Sequence, residues 1–215
     1  MKDTVIIITG GTVGEKTFHT ILKMYPDAFR IGVDHGLDVM DANGIIPDIA
    51  VGDFDSACPN TKEKYQKLHN TILLNPMKDF TDTHVAVQYA MDHGAKHIVM
   101  LGATGTRLDH VQGNFALLKL CRMQGVDAVI YDGNNKIRMI DSTLTLIKSR
   151  QYGKYVSLIP YSDIVTGVTL TGFVYNLQEA TMIKEETRGI SNEMREEECH
   201  ITIKTGYLMI METKD

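Results

Sequence analysis

Through its first 131 residues the chain alternates short β-branched apolar runs with longer amphipathic ones, and no other feature constrains the fold as much. Residues 5–8, 29–33, 49–51, 71–74, 98–101 and 128–131 read as strands. The run at 5–8, closed by Gly10-Gly11, has the pattern of a strand buried on both faces and ended by a tight turn. Residues 16–25 carry Phe18, Ile21, Leu22 and Tyr25 at helical spacing, and 61–68, 83–93 and 111–124 read as further helices. Gly94 and Gly125 close the last two, as suits the left-handed residue that commonly ends a helix. Strand and helix in alternation predict an α/β fold, a parallel sheet with helices over both faces.

After about Asp132 the period changes to two. Ile137 and Met139, then Thr143, Thr145 and Ile147, then Tyr155, Ser157 and Ile159 alternate with their neighbours, as do Val168 with Leu170, Ile201 with Ile203 and Leu208 with Ile210. Short runs of this kind, broken by glycine or polar clusters, predict an antiparallel β-sandwich. The expected organisation is therefore an amino-terminal α/β domain over residues 1–132 and a carboxyl-terminal sandwich over residues 133–215. The division falls in the turn-rich Asp132-Gly133-Asn134-Asn135. The charged run 193–198 reads as a solvated loop or helix face.

A chain of 215 residues can bury a core without staples. Its formal charge of −5 gives no general attraction to nucleic acid or anionic membrane, so a bound polyanion needs local cations or a metal ion. Cys58, Cys121 and Cys199 are far apart with no CxxC, which argues against a disulfide framework or structural zinc and for a reducing compartment. The apolar run at 5–8 is too short for a signal peptide or a membrane span. A soluble cytoplasmic protein is expected.

Chemistry concentrates at the strand ends. Gly52-Asp53-Phe54-Asp55-Ser56 places two carboxylates at i and i+2; on an extended chain they point to one side, suited to Mg²⁺, which prefers hard oxygen ligands. Taken singly, the pair is more simply a capped turn. Lys78-Asp79-Phe80-Thr81-Asp82 precedes a helical stripe; Asp79 and Asp82 share a face there, and they also complement the helix dipole. Gly102-Ala103-Thr104-Gly105-Thr106-Arg107-Leu108-Asp109-His110 again joins strand to helix. Its glycines admit a close ligand, the helix amino end offers N–H groups to an anion, and Arg107 carries a fork suited to phosphate. Asp109 is open to three roles: orienting a hydroxyl, binding metal or pairing with Arg107. His110 reads as a structural histidine. Asp34 ends a fourth strand. Parallel strands share one edge, and gathered carboxylates repel unless a cation is shared, so recurrence favours a functional reading.

These stretches resemble the bacterial thiamine pyrophosphokinase (thiamine diphosphokinase) family. Val33-Asp34-His35-Gly36 resembles its ADGG strand end, Gly52 to Ser56 its GDFDS motif, Lys78 to Asp82 its KDxTD motif, and Arg107 to His110 with Asn114 its RxDH…N pattern. Further on, Gly172-Phe173-Val174-Tyr175-Asn176-Leu177 resembles GLxYxL, and Thr187 to Glu193 resembles tRGiSNe. His35 stands where the family has its first glycine, and Gln112-Gly113 precede Asn114 where bulkier apolar residues are usual. The resemblance implies an amino-terminal α/β nucleotide-binding domain that takes ATP, a carboxyl-terminal sandwich that contributes the thiamine site, and a homodimer with active sites at the subunit interface. It also implies transfer of a diphosphoryl group from Mg·ATP to the thiamine hydroxyl, releasing AMP. By position, Asp53, Asp55 and Asp82 would hold Mg²⁺. Asp34, Lys78, Asp79, Thr81, Gly102, Arg107, Asp109 and Asn114 would line the ATP site, and Ser191 and Asn192 would face thiamine. Asp82, Asp109 and Arg107 are the implied catalytic residues. With no Trp in the chain, any aromatic stack on thiamine falls to Tyr or Phe. The rival readings are another DxD-type Mg²⁺-dependent nucleotidyl- or glycosyl-transferase, and a non-catalytic nucleotide-sensing module.

Overall fold

A computed structural model of the chain describes residues 2–54, 57–66, 70–74 and 79–215, the side chain of Gln66 excepted. It divides into two compact units, Met1–Gly133 and Asn134–Asp215.

The first unit runs β1 (Thr4–Ile8), α1 (Glu15–Met24), β2 (Phe29–Val33), α2 (Gly36–Ala42), β3 (Ile49–Gly52), α3 (Pro59–Gln66), β4 (Thr71–Leu73), α4 (Asp82–Asp92), β5 (His97–Leu101), α5 (Leu108–Met123) and β6 (Asp127–Tyr131). Its described strands pair in parallel in the order β4-β3-β2-β1-β5-β6. Val5, Ile6, Ile7 and Ile8 are each 0% exposed, so both faces of β1 are covered, and that is why its sequence shows no alternation. From β1 the chain steps outward through β2, β3 and β4, then returns by α4 to β5 on the other side of β1. The carboxyl ends of β1 and β5 thus flank the point where strand order reverses, the crevice in which open α/β sheets hold ligands.

Helix α2 was not foreseen. Its seven residues are too few to show a stripe, and its acidic side chains are tied to α3: Asp41 Oδ1 accepts from both Lys64 Nζ at 2.6 Å and Tyr65 Oη at 2.7 Å. Helix α5 begins at Leu108, three residues ahead of the expected start at Val111, because the 77%-exposed Leu108 hides the helical period.

The second unit contains β7 (Asn135–Ile140), β8 (Leu144–Ile147), β9 (Tyr155–Pro160), β10 (Ile164–Thr171), β11 (Leu177–Ile183), β12 (Asn192–Glu193), β13 (Glu198–Thr202) and β14 (Leu208–Thr213). Two antiparallel arrays form, β7-β14-β9-β12 and β11-β10-β13-β8. Val156, Leu158, Leu208 and Ile210 of the first share one buried cluster with Val165, Val168, Leu170, Met182 and Ile201 of the second, which makes the unit the expected sandwich. Residues 194–197 of the charged run form the exposed connection into β13, apart from buried Met194. Among the described residues no helix is long and apolar enough to cross a membrane.

Candidate active site

The loops that leave β1 and β5 are laced together. Thr9 N donates to Leu101 O at 2.9 Å, Gly11 N to Gly102 O at 2.8 Å and Thr12 N to Thr104 O at 2.8 Å. No side chain fits between them: a Cβ on Gly11 would lie 2.1 Å from the Thr104 carbonyl oxygen, and one on Gly102, whose φ is +70°, would lie 2.2 Å from that of Thr9. Buried Asn114 of α5 fixes the second loop from below, its Nδ2 donating to Ala103 O at 2.8 Å. The Thr9 and Thr83 hydroxyls meet at 2.8 Å and tie the first loop to α4.

Over these loops lies a cavity of about 340 Å³, lined by Thr9 to Gly11, Asp34, His35, Thr81 to Thr83, Gly102 to Arg107, His110, Val111 and Asn114. Six of the residues singled out from the sequence therefore share one site: Asp34, Thr81, Asp82, Gly102, Arg107 and Asn114. Thr81 caps α4, its hydroxyl oxygen accepting from His84 N at 3.2 Å. Asp34 adopts φ +46°, and its Oδ1 packs where a Cβ on Gly52 would be only 2.0 Å away, so the glycine of the Asp53 turn makes room for the Asp34 carboxylate.

Other expectations shift. Strand β3 ends at Gly52 and Phe54 takes φ +58° with its ring fully buried, so the chain leaves the extended conformation at Phe54. Asp53, Asp79 and Asp109 are not among the residues lining the cavity. Asp55 and Lys78 lie outside the described residues. Among those described, no three His, Cys, Asp or Glu side chains converge as a metal site. His110, read as structural, is exposed on the cavity wall.

Asp109 pairs with Arg107 two ways, Nη2 to Oδ2 at 2.7 Å and Nε to Oδ1 at 3.3 Å, with both side chains largely exposed. The Arg107 guanidinium, helped by the His110 N–H, holds the Asp109 carboxyl down to about 2, and the same contact raises Arg107.

In the second unit, Asn192 is buried and both ends of its amide engage the Tyr175 backbone, while Oδ1 also accepts from Glu193 N at 2.9 Å. Oδ1 accepts from Tyr175 N at 3.0 Å and Nδ2 donates to Tyr175 O at 2.7 Å. This clamp presents the Tyr175 ring 71% exposed. Ser191 is exposed at φ +56°, its N–H on Ser157 Oγ at 3.0 Å. Sequence reasoning missed the lining contributed by Thr9, Gly10, Gly11 and Thr83. The available signal was a glycine pair at the end of β1, the same signature that marked the loop after β5.

A family model for the catalytic domain of thiamin pyrophosphokinase matches residues 22–130, and one for its vitamin B1 binding domain matches residues 142–210. A thiamine pyrophosphokinase of Bacillus subtilis is 31% identical over 215 residues, with 99% of each chain covered. This chain belongs to the thiamin pyrophosphokinase family. A crystal structure of thiamine pyrophosphokinase from Bacillus subtilis superposes with a TM-score of 0.87 at 29% identity, covering 99% of both chains. Thiamin pyrophosphokinase from Candida albicans, at 14% identity, shares the fold with a TM-score of 0.78 over 98% of this chain and 88% of its own. The thiamin pyrophosphokinase fold thus accounts for both units, the α/β sheet and the sandwich that follows it.

Proposed function

We propose that this enzyme transfers a diphosphoryl group from Mg·ATP to the hydroxyl of thiamine, giving thiamine diphosphate and AMP. The observation that carries the reading is the cavity at the β1/β5 reversal, which two glycine loops, Arg107, Asp34 and Asp82 line together, in a chain matched over 99% of its length by thiamine pyrophosphokinase of Bacillus subtilis.

In this reading the amino end of α5 and Arg107 receive the phosphates, because backbone N–H groups and a guanidinium match anionic oxygens. Gly102 and Asn114 hold the loop that approaches them, and Asp34, Asp79, Thr81 and Lys78 complete the nucleotide site. Asp109, ionised down to about 2, is a poor proton acceptor and instead orients Arg107. Asp82 takes the proton of the attacking hydroxyl. Positioning and charge stabilisation supply most of the rate in phosphoryl transfer, so no strong base is required. Carboxylates are the donors Mg²⁺ prefers, and an ion that keeps several waters needs only one or two of them beside the substrate's phosphates. Asp53, Asp55 and Asp82 fit that role, and the ion when bound neutralises phosphate charge.

Tyr175, with Asn192 as its clamp and Ser191 next to that clamp in sequence, is the thiamine-facing group, since an exposed aromatic face attracts a cationic thiazolium. The assembly is a homodimer with active sites at the subunit interface, and the three free cysteines suit a cytoplasmic enzyme. Incubation with ATP, Mg²⁺ and thiamine should yield AMP and thiamine diphosphate in equal amounts; release of pyrophosphate or ADP instead would refute the reaction. If folded Asp55→Ala keeps near-normal Mg²⁺-dependent turnover, the metal assignment fails.

A further inference from the structure

We propose that His35, held by Asp38, contacts a ribose hydroxyl of the nucleotide through Nε2 and so sets nucleotide specificity, an inference that rests on the ATP reading above. His35 follows Asp34 at the carboxyl end of β2 and lines the cavity, its side chain 49% exposed. Its Nδ1 lies 2.7 Å from Asp38 Oδ2. Asp38 is itself anchored: its side chain is 12% exposed, and its oxygens accept from Cys58 N at 3.3 and 3.1 Å. Burial alone would raise the Asp38 carboxyl, but hydrogen bonds from the Thr61 hydroxyl, the Cys58 N–H and His35 outweigh it and leave the group below its usual range.

An ionised carboxylate only accepts, so the proton of a neutral imidazole sits on Nδ1 and Nε2 presents a lone pair. Phosphate oxygens are acceptors and gain nothing from such a nitrogen. Hydroxyls do. The His35 Cβ lies 3.5 Å from where a Cβ on Gly10 would stand, within a residue of the first glycine loop. The nucleotide hydroxyls nearest its phosphates are those of the ribose, so the ring is placed for the sugar rather than the distant base. Asp38 acts as a positioning residue: it fixes the tautomer and orientation of His35 as carboxylates commonly fix histidines at functional sites.

The test measures KM for ATP, 2′-deoxy-ATP and 3′-deoxy-ATP, with thiamine and Mg²⁺ at pH 8. Wild type should take one of the deoxynucleotides with a KM roughly three- to tenfold above that for ATP, the range of one neutral hydrogen bond. His35→Gly should reduce that ratio to about one while leaving the thiamine KM unmoved. Asp38→Ala should do the same, and the double variant should add nothing, as expected of two residues acting as one unit. If Asp38→Ala does not fold, His35→Gly decides alone. Equal use of all three nucleotides by wild type, or undiminished discrimination in folded His35→Gly, overturns the proposal while the activity stands. A wild-type chain that makes no thiamine diphosphate from ATP overturns both.

Discussion

Gly11 and Gly102 meet backbone to backbone, the N–H of one on the carbonyl of the other at 2.8 Å, and this contact joins the loops of the two strands at the sheet's reversal. A methyl group on Gly11 would press on two carbonyl oxygens, 2.1 and 2.3 Å away, neither of which is a flexible side chain. Gly11→Ala should therefore part the loops, with a loss of about 1–3 kcal/mol in stability. Because the same loops line the cavity, ATP affinity should fall further than stability does. Urea denaturation and nucleotide titration on the same preparation separate the two effects.

The Arg107–Asp109 fork carries a pH prediction. Asp109 titrates at about 2 in the folded chain, below the ordinary carboxylate value near 3.9, so the pairing is complete above that ordinary value and is lost only as pH falls through about 2. The pH profile of kcat/KM between pH 5 and 9 should carry no inflection from Asp109, and Asp109→Asn should leave its shape unchanged while raising the ATP KM. Arg107→Ala should lower kcat/KM roughly a hundredfold, as does removal of a donor aimed at developing charge. An acid limb in this range that disappears in Asp109→Asn would restore Asp109 as the base.

The parts of this fold that were legible in the sequence are those where burial leaves a simple period. Residues 5–8 could be read as a two-face-buried strand because every one of them is enclosed, and the sandwich could be read because inward and outward positions alternate. What escaped depends on partners distant in the chain. Gly10-Gly11 looked like a turn, since the loop that makes it a cavity wall begins at Gly102. Asn192 looked like a ligand group, although both ends of its amide are engaged by the Tyr175 backbone. The turn at Asp53 read as a continuation of the strand, whereas Phe54 is left-handed, a conformation that its burial among distant residues imposes and no local pattern announces.

Within the sandwich, Glu212 is 2% exposed and faces Lys136 across β14 and β7, Oε1 to Nζ at 2.9 Å, while its Oε2 accepts from Tyr152 N at 2.8 Å. Such a pair contributes little net stability when intact, but removing one partner leaves a buried charge uncompensated. Lys136→Met should cost about 3–5 kcal/mol, and Lys136→Met with Glu212→Leu should recover part of that loss. Chemical denaturation of the two variants checks the prediction, and equal stability of both would count against it.

Tyr175 and Asn192 divide one task between an exposed ring and a buried clamp. If the ring faces the thiazolium, Tyr175→Ala should raise the thiamine KM by roughly three- to thirtyfold, the span of a cation–π contact, with the ATP KM unchanged. Tyr175→Phe keeps the face and should stay within about twofold of wild type. Asn192→Ala removes three hydrogen bonds, from Tyr175 N, to Tyr175 O and from Glu193 N, and leaves those backbone groups without their partner. It should therefore raise the thiamine KM as Tyr175→Ala does and also lower stability by about 1–3 kcal/mol, a loss that Tyr175→Ala does not share. Steady-state kinetics in both substrates, with a thermal melt of each variant, reads the split. A ring variant that moves both KM values equally would place Tyr175 outside the thiamine site.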